Sequence, residues 1–137
     1  MEVHTTNYIN TFIEIADDSP TRSGQVPTLK GDSRSVANIE FDMIKDHPYH
    51  FTADEVLFQV FATKNDLLET ELEEAKKQFF SKGQACFRAS PLTKRYGWGI
   101  HNDHNGKIAL YGAETSDYRE FVADQKLKKL KAMKSKR

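Results

Sequence analysis

The sequence predicts an α+β domain: a small antiparallel sheet, built from a strand over 7–16 and a hairpin over 96–112, packed against four helices. Three observations carry that reading. Apolar and polar residues alternate at period two over 7–16 and again over 96–112, the periodicity of strands. The segments between them place apolar residues three and four apart, and two of them open on a Ser or Thr suited to capping a helix. A turn sequence, Asp103-His-Asn-Gly106, joins the two halves of the second alternating segment. A chain of 137 residues is ordinarily one domain, long enough to bury a core.

In 7–16, Ile9, Thr11, Ile13 and Ile15 make one face and Tyr8, Asn10, Phe12 and Glu14 the other. Asp17-Asp18-Ser19-Pro20 ends the strand. Residues 19–34, rich in Ser, Thr, Pro and Gly, form a long loop whose middle Val26 and Leu29 are expected to pin. Ser35 caps a helix over 36–46, with acids in its first turns and Val36, Ala37, Ile39, Phe41, Met43 and Ile44 on a broad apolar side; Pro48 stops it. Thr52-Ala-Asp-Glu55 is a capping box. The helix it opens carries Val56, Leu57, Val60 and Phe61 in one stripe. Phe58 falls off that stripe, so a second face is expected to be buried.

Asn65-Asp66 makes a turn. A third helix begins near Glu69, with Leu68, Leu72, Ala75 and Phe79 at helical spacing and acids preceding bases, as the helix dipole favours. It is expected to end at Lys82, with Gly83 as a left-handed cap. An extended piece over 84–89 follows, broken by Ser90-Pro91. Tyr96, Trp98 and Ile100 then alternate with Gly97, Gly99 and His101. A three-residue loop, His104-Asn105-Gly106, pairs Asp103 with Lys107 and Ile100 with Leu110. It alone keeps Trp98, Ile100 and Ile108 on one face, since a one-residue slip would move them to the other. Tyr111 then lies opposite Gly99, and His101 opposite Ala109. Thr115 or Ser116 caps a last helix with Tyr118, Phe121 and Val122.

The chain holds 20 basic and 20 acidic residues. Residues 126–137 carry seven Lys/Arg and no acid, leaving 13 Lys/Arg against 20 Asp/Glu in 1–125. The division predicts a globular domain over 1–125 and a basic tail over 126–137 that touches phosphate, folds back on the acidic body, stays solvated, or extends the last helix as an amphipathic segment. An acidic body argues against a nucleic-acid binder over the whole surface. No apolar run approaches the roughly 20 residues of a membrane span. The N-terminus lacks the layout of a secretion signal, and one Cys makes no internal disulfide, so a cytoplasmic protein is expected.

The segments His4-Thr-Thr-Asn-Tyr8, Ser35-Val-Ala-Asn38, Val56-Leu-Phe-Gln-Val-Phe-Ala62, Phe79-Phe-Ser-Lys-Gly-Gln84 and Arg88-Ala-Ser-Pro-Leu-Thr-Lys-Arg-Tyr-Gly-Trp-Gly-Ile-His101 span nearly the whole chain. On them the chain resembles a family of short, uncharacterised bacterial proteins, a domain of unknown function. The resemblance implies a single cytoplasmic bacterial domain and brings no activity, cofactor or catalytic residue.

The candidate site is the stretch 79–101, with the only Trp and Cys. Two glycines on one strand face leave a gap that a ring of the protein or a ligand fills. The functional expectation is a groove floor bounded by Lys82, Arg88, Ser90, Lys94, Arg95, Tyr96, Trp98 and His101, joined by Tyr111 from the return strand. Cations and hydroxyls there supply charge-assisted hydrogen bonds to an anionic, phosphate-bearing ligand or partner. Two alternatives stand beside it. Three helices and a hairpin match a winged helix, with 69–81 as recognition helix and 96–112 as wing, although acids at that helix's start repel phosphate. A small enzyme would use His101 with Cys86 or Ser90. His101, Asp103 and His104 lie close, but turns hold such residues for backbone reasons; neither metal nor cofactor is implied.

Overall fold

The computed structural model describes residues 3–29 and 31–135. The last two positions of the basic tail, the first two of the N-terminus and position 30 of the long loop lie outside the described residues. The fold is α+β. Strands β1 (Thr11–Glu14), β2 (Trp98–Asn102), β3 (Ile108–Gly112) and β4 (Lys128–Lys131) form one mixed sheet in the order β3-β2-β1-β4. Five α-helices surround it among the described residues: α1 (Val36–Lys45), α2 (Ala53–Lys64), α3 (Leu72–Phe79), α4 (Pro91–Lys94) and α5 (Ser116–Ala123).

The central hairpin has the predicted register: Ile100 pairs with Leu110, Gly99 with Tyr111 and His101 with Ala109. Asp103 closes the loop, its backbone N–H donating to Lys107 O at 2.9 Å, and Gly106 takes φ +76. β1 is antiparallel to β2 and parallel to β4. The sheet is therefore mixed where a purely antiparallel one was expected, because the basic segment after 125 returns to the sheet. Lys128–Lys131 is its edge strand, so of the expected alternatives the segment folds back on the body and is neither a solvated tail nor a continuation of α5. Lysines suit that place, since a charged edge resists pairing with other chains.

Both faces of the sheet are covered. Ile13, Trp98, Ile100, Ile108 and Leu110 face α1, α2 and α4, packing against Ala37, Ile39, Ile44, Val56, Val60 and Leu92. Phe12, on the opposite face of β1, packs with Ile15, Tyr118 and Leu127 beneath α5. The expected strand over 7–16 shortens to four residues because Asn10 adopts φ +49, which breaks the alternation and leaves Ile9 54% exposed.

The two long helices start as the sequence indicates. Ser35 Oγ accepts from Asn38 N–H, while the Asn38 side chain accepts from Ser35 N–H. Thr52 and Glu55 exchange the corresponding pair of bonds. The first turn of α1 holds no acid; the nearest, Glu40, is buried. On α2, Val56 and Val60 face the main core, and Phe58 and Ala62 turn to a second cluster with Phe80, which is the doubly buried helix Phe58 predicted.

Three local expectations are corrected. α3 follows a 3-10 turn over Glu69–Glu71 and ends at Phe79; the Ser81 hydroxyl donates to Gln78 O there, and Gly83 lacks a positive φ. Residues 84–89 are not a strand, since Phe87–Ala89 is a 3-10 turn. Ser90-Pro91 starts an element instead of breaking one: Ser90 Oγ accepts from Leu92 N–H and Pro91 occupies the first turn of α4, a place that needs no N–H.

Candidate functional site

The two glycines of β2 and its approach are occupied by the protein itself. A Cβ at Gly99 would lie 2.5 Å from Phe12 Cζ and 2.6 Å from Tyr118 Cε2, so rings under α5 fill that space. Gly97, at φ +78, has Ser23 O 2.2 Å from where its Cβ would stand. The long loop thus lies against the strand. Gln25 pins it, accepting from the Trp98 indole N–H at 2.8 Å and donating its own N–H to Tyr96 O at 2.8 Å. Val26 and Leu29, the expected pins, are 65% and 61% exposed. A glycine-floored groove is absent here because backbone and rings pack into both gaps.

The nine predicted site residues divide among several environments. Trp98 is buried in the main core. Ser90 is buried, and its hydroxyl donates to Glu40 Oε1 at 2.6 Å. Arg88 Nε donates to Lys131 O at 2.7 Å and Met133 N–H donates to Arg88 O, so Arg88 closes the outer end of β4. Tyr96 packs against the main core, Lys94 is half-buried, and Lys82 and Arg95 are exposed. His101 and Tyr111 meet across Tyr49 on the α5 side, away from the predicted cations. The Tyr49 hydroxyl is 2.8 Å from His101 Nδ1 and 2.8 Å from the Tyr111 hydroxyl, and His101 stacks on Phe121 at 4.3 Å. Burial lowers the His101 pKa below its ordinary value and raises that of Tyr49.

Neither nucleophile pairs with His101. Cys86 Sγ lies 3.2 Å from the Tyr8 hydroxyl, whose pKa burial and this contact push up to about 12. Ser90 is engaged by Glu40, and His101 by Tyr49. The winged-helix arrangement is not formed either. Its wing, β2–β3, is held inside the sheet by β1, and its recognition helix is shortened to Leu72–Phe79. Among the described residues no group of three His, Cys, Asp or Glu side chains could hold a metal ion.

Cations do converge elsewhere. A cleft of about 350 Å³ opens between α5, the end of β1 and β4. Ile15, Ala113, Tyr118 and Val122 give it an apolar floor, and Arg22, Arg119 and Lys131 stand on its rim with Glu14 and Asp17. Lys131 Nζ is 2.8 Å from Asp17 Oδ1, and Arg22 donates to Asp17 O at 2.9 Å. The Lys131 hydrogen bond holds the Asp17 carboxyl below the usual carboxylate range. Both side chains of that ion pair are about half exposed, 55% and 51%, so it opens at little cost. Sequence reading missed this cleft. Its three cations come from the loop after β1, from α5 and from the terminal strand, and only the parallel pairing of β4 with β1 brings them together.

A protein-family model described as a family of unknown function (DUF6157) matches residues 3–137. The chain belongs to that family. No curated protein and no solved structure matches it. Three of the segments that carry the family likeness are tied into the fold by hydrogen bonds. Asp54, at the start of α2, accepts from Thr5 Oγ1, Thr6 N–H and Thr6 Oγ1 at 2.6–2.7 Å, and its own N–H donates to Asn7 Oδ1. His4 N–H donates to Phe80 O, and Asn38 Nδ2 to Pro27 O.

Proposed function

We propose that the protein is a small binding domain for an anionic, phosphate-bearing ligand, and that the cleft between α5 and β4 receives it. The observation supporting this is the meeting of Arg22, Arg119 and Lys131 on the rim of one apolar-floored cleft of about 350 Å³, a size suited to a small molecule. Guanidinium groups give paired, charge-assisted hydrogen bonds to phosphate oxygens, and Lys131 adds a point charge when it leaves Asp17. The floor beneath, with Tyr118 and Val122, suits an apolar or ring portion of the ligand. Arg88, alone of the residues singled out from sequence, bonds directly to the strand that bears Lys131.

The test is titration of the labelled protein with inorganic phosphate and with a sugar phosphate, followed by amide NMR shifts and by thermal shift. Binding stabilises the fold in proportion to ligand concentration over Kd. Shifts are expected around Arg22, Arg119 and Lys131, with at least about tenfold weaker binding in Arg119→Ala and in Lys131→Ala. Absence of any shift at millimolar ligand, or equal affinity in both variants, overturns the reading.

A further inference from the structure

α3 is a helix whose apolar side is only partly covered. Leu72, Ala75 and Phe79 lean on the cluster of Phe58, Ala62 and Phe80, yet none of the eight residues of α3 is fully buried. Nearby, Phe61 is 37% and Leu68 66% exposed. Two adjoining hollows, of about 270 and 310 Å³, share Leu67, Ala75 and Gln78 as lining. One continues to Phe61, Phe79 and Lys82; the other to Glu71 and Glu74. Together they make a groove along α3 with an apolar floor, carboxylates at one end and an ammonium group at the other.

We infer that this groove is the interface of a twofold dimer, occupied by α3 of a second copy of the chain. A twofold interface places one patch against itself in reverse. Antiparallel pairing of α3 with its copy sets Glu71 and Glu74 of each chain against Lys82 of the other and closes the apolar strip between them. The polarity of the groove is therefore self-complementary, which is the argument for a second copy over a foreign helix. The surface is one short helix wide. It falls in the smaller, transient class of interfaces, below about 1,200 Å² in total, so association depends on concentration between micromolar and millimolar. The inference rests on residues separate from the proposed anion cleft.

Sedimentation equilibrium of the whole chain over that range tests it, with Glu74→Lys, Lys82→Glu and the double exchange. All are solvent-facing positions, and circular dichroism checks that each variant is folded. The wild type is expected to dimerise, each single exchange to raise Kd about tenfold, and the double exchange to recover part of that loss, because positions 74 and 82 are again opposite in charge across the twofold while Glu71 is unchanged. A wild type that stays monomeric at millimolar concentration overturns the inference, as does a dimer whose Kd ignores the single exchanges.

Discussion

The Tyr49 hydroxyl stands 2.8 Å from His101 Nδ1, and Tyr49 presents it from a left-handed backbone, φ +59. An aromatic residue rarely takes that conformation, which costs of order 1 kcal/mol or more. Here the Tyr49 N–H donating to Ile108 O and the two side-chain bonds of its hydroxyl hold it. Burial depresses the His101 pKa, so at pH 6.5 the neutral imidazole predominates, as NMR of the ring nitrogens would register. The stability linked to this group is present above the unfolded value of about 6.5 and is lost as pH falls through the lower folded value. Tyr49→Phe removes both hydroxyl bonds and is expected to move the Nδ1 resonance and to cost about 1–2 kcal/mol in denaturant unfolding.

Glu40 gives the opposite pH dependence. It is 1% exposed, and desolvation pushes its carboxyl up to about 7 from 4.5, even though Ser90 donates to it. The folded protein keeps a proton there that the unfolded chain releases. Stability is therefore full below about 4.5 and falls as pH rises through about 7. Glu40→Gln retains an acceptor for Ser90 without the charge. It is expected to match the wild type near pH 4.5 and to exceed it by roughly 3 kcal/mol at pH 8, read from urea unfolding at the two pH values.

Gly99→Ala would drive a methyl group into Phe12 and Tyr118, which lie 2.5 and 2.6 Å from its position. The expected loss is about 1–3 kcal/mol, as for other overpacked sites. Gly97→Ala is expected to cost more, because it combines a positive φ with a collision against the backbone oxygen of Ser23, which cannot rotate away. Chemical denaturation of the two variants orders them.

Asp54→Ala removes the acceptor for Thr5 and Thr6, three bonds that tie the N-terminal segment to α2. Loss of a charged acceptor with several donors is expected to cost about 2–3 kcal/mol. Hydrogen exchange should rise first at residues 4–8, while the amides of β2 and β3 stay protected.

The hairpin register was legible because it is a parity problem: Trp98, Ile100, Ile108 and Leu110 share a face under one loop length only, and the structure has that pairing. The N-cap at Ser35 and the capping box at Thr52 were legible as local hydrogen-bond chemistry; the reciprocal bond from Asn38 at the first was not. The candidate site was not. Arg88, Ser90 and His101 stand within fourteen positions of one another, yet one binds an edge strand, one a buried carboxylate and one a tyrosine from another segment. Nearness along a chain does not state which side of a sheet a side chain joins, and here a short 3-10 turn, a short helix and a bend intervene.

By itself the sequence determined what local chemistry decides: the α+β class, the starts of α1 and α2, the turn at Gly106 and the alternation of the hairpin. Tertiary structure alone decided which rings fill the space beside Gly99, that Lys128–Lys131 is a strand lying parallel to β1, and where cations from three elements meet. The physical reason is range. Capping and alternation act between residues a few positions apart, whereas the pairing of β4 with β1 joins residues more than a hundred positions apart and is fixed by burial and backbone hydrogen bonding of the whole sheet.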